Sequence, residues 1–576
     1  MDPSPERPSS DIHLLSPKEA LKAESHGLRG RIVEELAEPT DRFSDATAQL
    51  LRHHGIYQQD DRDRRRHLGS HTARTARVYS LMARVAVPGG RLSSEQLLAQ
   101  LDIGDEFGNG ALRITTRQAL EIYGIAKRNI REVVRRVNGS GLSTLGASGD
   151  AARNVMCCPA PYWGDPVHGQ MQWLAHRLAD ELRPHVPAYR EIWLDGAGSA
   201  QADGTDNDRL YGRAYLPHKL KIAVGLPGDN CVGVYSQDIG LLAMCEDFRI
   251  VGYNVFVGGG MGMTPGNEQT FAAMARHMAL VGPEQVIDVV KAVLAVFRDH
   301  GDRSNRKRAR LKYLLADWGM EKFKNRVEAV LGYPLAALHS GEVWDIDDHL
   351  GWHEQGDGRW FFGVYVETGR LVDRHGLRLK SALREVCRKY QPQIGLTAGQ
   401  CVLLGDIRWE DRPGVDDLLR RHEVRSVYEI SAVRRWSAAC VSMPTCPLAV
   451  TESERVLPGL VDQLEAELVR LDLTDVVFTL RMTGCPNGCS RPYNAEVGLV
   501  GRTAGRYAIY LGGRRLGNRL GVLYRDGVPL ERIVATLIPV LLYFRHNRNS
   551  GESFGDFCAR KGPEELLKNA QSEPAA

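Results

Sequence analysis

The sequence predicts an α+β fold made of two related halves. The run VYSLMARVAVPGGRLSSEQLLAQL from Val78 has the spacing of a strand, a turn and an amphipathic helix, and LRITTRQALEIYGI from Leu112 has strand character broken near Thr116. The runs FFGVYVETGRLVDRHGLRLKSALREVCRKY from Phe361 and IGLTAGQCVLLGDI from Ile394 repeat this layout. An internal duplication is the economical explanation, although short strand–helix–strand units also recur by chance.

Individual residues match between the two copies, about 280 positions apart. The matched groups are Gly90-Arg91-Leu92 with Gly369-Arg370-Leu371, and Thr115 and Gln118 with Thr397 and Gln400. Between the copies, strands such as LKIAVGL and FRIVGYNVFVGGGMG alternate with helices predicted near 284–298 and 306–330.

These patterns divide the chain into five segments. Residues 1–75 read as a polar arm that cannot form its own core and is expected to wrap another part of the molecule. Residues 76–145 and 354–421 are the two repeats, and residues 146–353 form an α/β segment between them. Residues 422–576 contain the conspicuous cysteines and end in a charged helical tail.

The composition is that of an ordinary soluble protein. Hydrophobic residues make up 43% and the formal net charge is only +3, so nothing global indicates a nucleic acid or a membrane as partner. The start of the chain lacks the apolar run of a signal peptide, and no stretch reaches about 18 apolar residues. Eleven cysteines without such a signal favour a reducing compartment, and we expect the cytoplasm.

Four cysteines form two close-spaced pairs. Cys440 and Cys446 have five residues between them, and Cys485 and Cys489 lie in Cys-Pro-Asn-Gly-Cys. An iron–sulfur cluster needs four thiolates that converge on one point, which two loops with two cysteines each can supply. The spacing favours a 4Fe–4S cluster; a zinc site, which usually has tighter spacing in both pairs, and four inert buried thiols remain alternatives.

The segment around these cysteines resembles the siroheme-binding signature of assimilatory sulfite and nitrite reductases. The resemblance rests on TGCPNGCSRPYNAEVGLVG from Thr483 and on the preceding Cys440-x₅-Cys446-Pro-Leu-Ala. Further family segments follow in family order over about residues 25–565: GIYQQDDRD, RITTRQ, RNV, YLPHKLK, VGGGMG and GESFGD.

This resemblance implies a pseudo-twofold duplicated architecture with ferredoxin-like half-repeats and two α/β siroheme-binding domains. It implies a siroheme, which carries eight carboxylates, coupled to the 4Fe–4S cluster through one shared cysteine, by position Cys489. The implied reaction is the six-electron reduction of sulfite to sulfide, in sulfate assimilation and cysteine biosynthesis. An anionic cofactor and an anionic substrate require inward-facing cations.

Several basic residues stand where apolar ones are expected. Arg84 interrupts a strand, Lys219 and Lys221 are predicted on one face of the strand KLKIAV, and Arg153 is predicted on a loop that enters a cavity. Taken singly, such residues are more often salt-bridged or solvated. The resemblance assigns these four to sulfite binding and proton supply, with lysine the better proton donor.

The same resemblance assigns a second group of residues to the siroheme itself. The members are Arg113, Arg117, Gly258, Gly259, Gly260, Gly262 and Asn487. The chain departs from the family pattern at Glu121 and Tyr123, where Gln and His are expected, and at Ala152, where Asn is usual beside Arg153. The adjacent Cys157-Cys158 pair is unusual and is interpreted as structural.

Two alternatives concern the function. A siroheme nitrite reductase would use the same machinery for another anion, although YLPHKLK and GDAARN favour the sulfite branch. A non-enzymatic iron–sulfur carrier would have no use for the four cations.

The electron donor must be a partner, because no G-x-G-x-x-G dinucleotide fingerprint follows a strand. The segment QQDDRD favours an NADPH-dependent diflavin flavoprotein, whereas LGWHEQGDG from Leu350 resembles the ferredoxin-dependent branch.

Overall fold

The computed structural model describes residues 15–67, 77–194, 208–337, 339, 341–374 and 376–572. It contains four five-stranded sheets with many helices, which confirms the predicted α+β fold. The start of the expected arm, residues 1–14, lies outside the described residues. Each helix within the described ranges is too short or too polar to cross a lipid bilayer.

The segment before residue 76 forms short helices and one strand. The elements are α1 (Pro17–Glu24), α2 (Ile32–Ala37), α3 (Asp45–Leu51), β1 (Ile56–Asp60) and α4 (Arg62–His67). Part of the charged run that begins at Gln58 is therefore strand β1, and Leu50, Leu51 and Ile56 are buried in the main core.

The first repeat contains four strands and two helices. They are β2 (Tyr79–Val85), β3 (Arg91–Leu92), α5 (Ser94–Phe107), β4 (Leu112–Ile114), β5 (Leu120–Ile125) and α6 (Ile130–Gly139). A capping box begins α5, because the side chain of Ser93 accepts from Gln96 N while the Gln96 side chain accepts from Ser93 N.

Within its described residues, the middle segment contains five strands and five helices. They are β6 (Met156–Cys157), α7 (Pro166–Glu181), α8 (Pro187–Trp193), β7 (Ile222–Gly225), β8 (Ile239–Glu246), β9 (Arg249–Val257), β10 (Arg276–Val281), α9 (Val286–His300), α10 (Leu311–Trp318) and α11 (Met320–Leu331). The single helix predicted over 306–330 is wrong: two helices meet at Gly319, whose φ of 76° lies outside the helical region.

The second repeat contains five strands and two helices. They are β11 (Gly351–Glu354), β12 (Arg359–Val364), β13 (Arg370–Leu371), α12 (Leu379–Tyr390), β14 (Ile394–Leu396), β15 (Val402–Arg408) and α13 (Arg412–Arg421).

The last segment contains five strands and four helices. They are α14 (Ala432–Arg435), β16 (Ser437–Ala439), α15 (Leu457–Arg470), β17 (Leu480–Thr483), β18 (Val497–Thr503), β19 (Arg506–Leu511), β20 (Val522–Pro529), α16 (Ile533–Asn547) and α17 (Phe554–Ser572). Its apolar side chains form a core of their own, separate from the main core of the preceding segments.

The two repeats exchange one short strand each. The first sheet has the order β1-β2-β5-β4-β13 and the second has the order β11-β12-β15-β14-β3. Thus β3 of the first repeat pairs with β14 of the second, and β13 of the second pairs with β4 of the first. This reciprocal pairing joins the copies into one unit and confirms the two related halves.

The matched glycines and glutamines of each repeat contact the backbone of the other repeat beside the exchanged strands. A Cβ on Gly90 would lie 2.6 Å from the carbonyl oxygen of Leu396, and one on Gly369 would lie 2.4 Å from that of Ile114. Gln118 Nε2 donates to Leu396 O at 3.0 Å, and Gln400 Nε2 donates to Ile114 O at 3.0 Å. Only glycine allows backbones to approach this closely, which explains why the repeat retains it.

The two remaining sheets also match each other. Their orders are β10-β9-β8-β7-β6 and β16-β17-β18-β19-β20. In each, the first three strands in chain order pair in parallel and the next two add antiparallel. Loops at the carboxyl ends of the parallel strands are the usual place for a ligand in such sheets. The loops with the four predicted cysteine ligands follow the parallel strands β16 and β17, whereas Arg153, Lys219 and Lys221 precede β6 and β7.

Candidate active site

The four cysteines follow neighbouring strands of the last sheet. Cys440 comes directly after β16 and Cys485 comes two residues after β17, and these strands are parallel. Cys440 N donates to Met482 O at 3.1 Å, and Gly484 N donates to Cys440 Sγ at 3.4 Å. The two cysteine loops therefore leave the same edge of one sheet.

The four sulfurs influence each other electrostatically. Burial and the neighbouring Cys489 raise the pKa of Cys440 and of Cys446, and they raise the pKa of Cys485 to about 12. Thiolates held this close repel each other unless a metal centre neutralises them. The four side chains predicted from spacing therefore lie together and suit a metal cluster.

A residue of the arm holds the first cysteine loop in place. Arg62 donates from Nε to Pro444 O at 3.1 Å, from Nη1 to Ala449 O at 2.8 Å, and from Nη2 to Cys446 O. No sequence pattern predicts this role, because an arginine within a charged run gives no signal of a contact almost 400 residues away.

The two lysines lie before a strand rather than on it. The strand predicted over KLKIAV begins later than expected, since β7 begins at Ile222. Lys221 N donates to Asp238 Oδ2 at 2.9 Å. Leu220, between the two lysines, forms an isolated parallel β-bridge with Ala152, the residue before Arg153. The two ammonium groups nevertheless lie close together, because Lys219 is one of the cations that lower the pKa of Lys221.

The lysines share an electropositive environment with Cys489. Burial, Arg310 and Arg153 lower the pKa of Lys219 to about 7, whereas Cys489 raises it. Burial, Lys219 and Arg117 lower the pKa of Lys221, and Cys489 again opposes this shift. The predicted substrate cations and the predicted bridging cysteine thus belong to one site.

Arg117 and Arg153 extend this group of cations. Burial and Arg153 lower the pKa of Arg117 to about 9. Arg117 donates to Gln237 Oε1 and to Asn154 O, both at 2.6 Å, while its buried Nε has no partner among the described residues. Arg153 Nε donates to Gly149 O at 2.9 Å. These partly buried cations, with few carboxylates beside them, fit a polyanionic ligand.

Arg84 and Arg113 are already paired with carboxylates. Arg84 Nη2 lies 2.7 Å from Glu121 Oε1. Arg113 Nε lies 2.9 Å from Glu454 Oε2, and its Nη2 donates to Ala439 O at 2.8 Å, next to Cys440. Both arginines reach the site, but Glu121, one of the departures from the family pattern, faces both of them.

The glycine-rich run packs against the second cysteine loop. A Cβ on Gly259 would lie 2.3 Å from Gln237 O, and one on Gly262 would lie 3.3 Å from Asn487 O. Met263 N donates to Pro486 O at 3.1 Å. Gly258 has a φ of 86°. The predicted siroheme residues of this run therefore lie beside the predicted metal ligands.

Two buried cations near this run were missed. Lys312 Nζ donates to Gly260 O at 3.0 Å and to Gly262 O at 2.7 Å. Arg310 lies 2.8 Å from Asp238, which is fully buried and also accepts from Lys221 N. The spacing of Arg310 and Lys312 resembles that of Lys219 and Lys221 and could have identified them.

Comparison with protein families matches three parts of the chain. A model described as the nitrite and sulphite reductase 4Fe-4S domain matches residues 173–335. A model for the ferredoxin-like half domain of nitrite and sulfite reductases matches residues 74–139 and 353–422. The half-domain matches coincide with the two repeats that exchange strands.

Similar proteins extend along nearly the whole chain. The chain is 41% identical to a ferredoxin-type sulfite reductase of Synechococcus elongatus, over 98% of this chain and 92% of that protein. It is 39% identical to the hemoprotein beta-component of an NADPH-type sulfite reductase from Paenibacillus, over 96% of both chains. The solved structure of the Mycobacterium tuberculosis NirA protein superposes with a TM-score of 0.79 at 25% identity, over 96% of this chain and 97% of that one.

Proposed function

The chain belongs to the nitrite and sulfite reductase family, and from this premise we propose that it is an assimilatory sulfite reductase that reduces sulfite to sulfide. One observation carries the proposal: the Cys489 side chain lies close enough to Lys219 and Lys221 for its charge to raise the pKa of both ammonium groups. This proximity supports an oxyanion site at the two lysines, next to a thiolate that would hold a redox centre.

The cofactors are siroheme and a 4Fe–4S cluster, which supply the electron chemistry when bound. We assign Cys440, Cys446, Cys485 and Cys489 as cluster ligands, with Cys489 shared with the siroheme iron. The convergence of the two cysteine loops supports this assignment. Arg113, Arg117, the Gly258–Gly262 run and Asn487 would hold the siroheme.

The protein residues bind the anion and deliver protons. Arg84, Arg153, Lys219 and Lys221 are assigned to sulfite. Arginine stays charged and so orients an oxyanion, whereas a lysine with a lowered pKa can release a proton near neutral pH. Lys219, with a pKa of about 7, is the better proton donor. Asp238 fixes the lysine segment by accepting from Lys221 N.

Electrons would come from a protein partner. The relatives named above include one ferredoxin-type and one NADPH-type enzyme, so both donors occur among similar proteins. We propose the diflavin NADPH flavoprotein, on the basis of the QQDDRD segment, with ferredoxin as the alternative. The proposed compartment is the cytoplasm, and the five segments given above are the proposed domains.

Steady-state kinetics of the holoenzyme would test the substrate. With reduced methyl viologen as a common donor, we expect kcat/KM for sulfite to exceed that for nitrite, and sulfide to be the product. A far higher kcat/KM for nitrite would contradict the sulfite assignment. The same preparation should then be supplied with electrons by a diflavin reductase and by ferredoxin in turn. Turnover with ferredoxin alone would contradict the flavoprotein assignment.

A further inference from the structure

A second cluster of metal-ligating side chains lies outside the cysteine loops. It consists of Cys158, Asp229, Cys231 and His349, and one ligand atom of each lies within 4.8 Å of those of the other three. Cys158 is one of the adjacent cysteines interpreted from sequence as structural. The function proposed above uses none of the four.

Three separate parts of the chain supply these side chains. Cys158 follows β6, while Asp229 and Cys231 lie in the turn after β7, which pairs with β6 in parallel. His349 lies two residues before β11, at the end of the middle segment. The cluster therefore joins the loops after β6 and β7 to the stretch of chain that leads into the second repeat.

The contacts in the cluster suit metal ligation. His349 Nε2 lies 3.1 Å from Asp229 Oδ2 and 3.3 Å from Cys158 Sγ. Ligands held tetrahedrally at about 2.0–2.3 Å from zinc are separated by roughly 3.3–3.8 Å. A small outward movement of these side chains would therefore make room for the ion.

The other nitrogen of His349 faces a further carboxylate. His349 Nδ1 lies 3.5 Å from Asp347 Oδ2. A histidine that ligates a metal commonly directs its second ring nitrogen to a carboxylate, which fixes the orientation of the ring. Asp229 is also fixed, since its Oδ1 accepts from Cys231 N at 3.0 Å and from Asp347 N at 3.3 Å.

The cluster is buried but can be reached. Cys158 and His349 are each 1% exposed and Asp229 is 9% exposed. Cys231, Asp347 and His349 line one side of a cavity of about 60 Å³, through which an ion could enter. Cys231 is only partly buried.

We propose that Cys158, Asp229, Cys231 and His349 bind one zinc ion as a structural site. Two thiolates, one imidazole and one carboxylate form a ligand set that suits tetrahedral zinc and disfavours magnesium or calcium, which prefer oxygen ligands. Four protein ligands leave no open position, so the ion holds the loops after β6 and β7 to the stretch of chain that leads into β11. The proposal is independent of the proposed reaction.

Metal analysis of the purified holoenzyme tests this proposal. We expect about one zinc per chain in addition to iron, and zinc K-edge absorption should show two sulfur ligands near 2.3 Å. Cys231→Ser and Asp229→Asn should each lose most of the zinc but retain the siroheme absorption. The control variant Cys245→Ser, an exposed cysteine elsewhere, should keep its zinc.

Cobalt substitution provides a readout that does not require a variant to fold. Wild-type protein produced with Co²⁺ should show thiolate-to-cobalt absorption bands at this site. Less than about a tenth of a zinc per chain after incubation with zinc chloride and desalting would overturn the proposal. A Cys158–Cys231 disulfide detected by mass spectrometry of the holoenzyme, or full zinc retention in both ligand variants, would overturn it as well.

Discussion

The carboxylate of Glu121 holds the guanidinium of Arg84 across the pairing of β2 and β5, with Arg84 Nη2 2.7 Å from Glu121 Oε1. The same carboxylate lies 3.6 Å from Arg113 and accepts from the Tyr123 hydroxyl. Burial raises the pKa of Glu121, but Arg84 and Arg113 outweigh burial and keep it below its usual range. A charged glutamate therefore competes with any anion for two of the predicted site arginines.

Glu121→Gln should strengthen anion binding. Removal of the competing charge frees Arg84, and we expect the KM for sulfite to fall by about tenfold, which corresponds to about 1.4 kcal/mol. Steady-state kinetics of the holoenzyme measures this change. The control is Glu95→Gln, at an exposed position on α5. An unchanged or higher KM in Glu121→Gln would contradict the competition.

Cys489→Ser should abolish sulfite reduction and alter the siroheme spectrum. The substitution removes a sulfur that we assign to both the cluster and the siroheme iron, and a hydroxyl is a poor substitute for a thiolate at iron. Absorption spectra and activity measure the two effects together. Cys245→Ser, at an exposed cysteine, should leave both unchanged. A normal spectrum and rate in Cys489→Ser would rule out the shared ligand.

Lys219 should govern the alkaline limb of the pH profile. Burial and neighbouring cations lower its pKa from 10.5 to about 7, so the ammonium loses its proton as the pH rises through that value. Bound anions oppose this shift, and we expect kcat/KM for sulfite to decline with a midpoint between 7 and 10.5.

Lys219→Arg tests this assignment directly. Arginine stays protonated, so the variant should lack this limb and turn over about 100-fold more slowly, because arginine is a poor proton donor. Lys389→Arg, at an exposed position on α12, serves as the control. A wild-type pH profile in Lys219→Arg would exclude Lys219 as the titrating group.

Asp150 should stabilise the contact between the arm and the middle segment. Its side chain is 2% exposed and lies 2.7 Å from Arg306 Nη2 and 3.4 Å from Lys22 Nζ. Asp150→Asn removes one of the two carboxylates that face the buried Lys22 and leaves only Glu19, and we expect the free energy of unfolding to fall by about 3 kcal/mol at neutral pH. Denaturant unfolding followed by fluorescence measures this change, with the exposed Asp180→Asn as control.

The pH dependence of the same contact has a definite sign. Burial raises the pKa of Asp150, but Lys22 and Arg306 outweigh burial and hold it well below 3.8. The contribution to stability is therefore complete above pH 3.8 and is lost as the pH falls below that value. The difference in unfolding free energy between wild type and Asp150→Asn should narrow only in that acidic range. A difference that persists unchanged in acid would contradict the role of the ionised carboxylate.

The repeats could be predicted from sequence because they are local patterns. Gly90 and Gln118 recur as Gly369 and Gln400 because each pair makes the same close contact with a backbone carbonyl of the other copy. Strand exchange between the copies was not predicted, since β3 and β13 are two residues long and carry no periodic signal. The lysine pair precedes β7 rather than lying within it, because the start of a strand depends on its pairing partners and not on the local pattern alone.

The sequence by itself determined the chemistry of the main site. Short runs of residues contain the basic side chains, the duplicated strand–helix pattern and the spaced cysteines Cys440, Cys446, Cys485 and Cys489. Only the tertiary structure decided which charges meet. The pairing of Arg84 with Glu121 depends on strand register, and the meeting of Cys158 with His349 depends on contacts across 191 positions. Local patterns report backbone preference and burial, whereas the contacts of a charged or metal-ligating side chain depend on chain segments that only folding brings together.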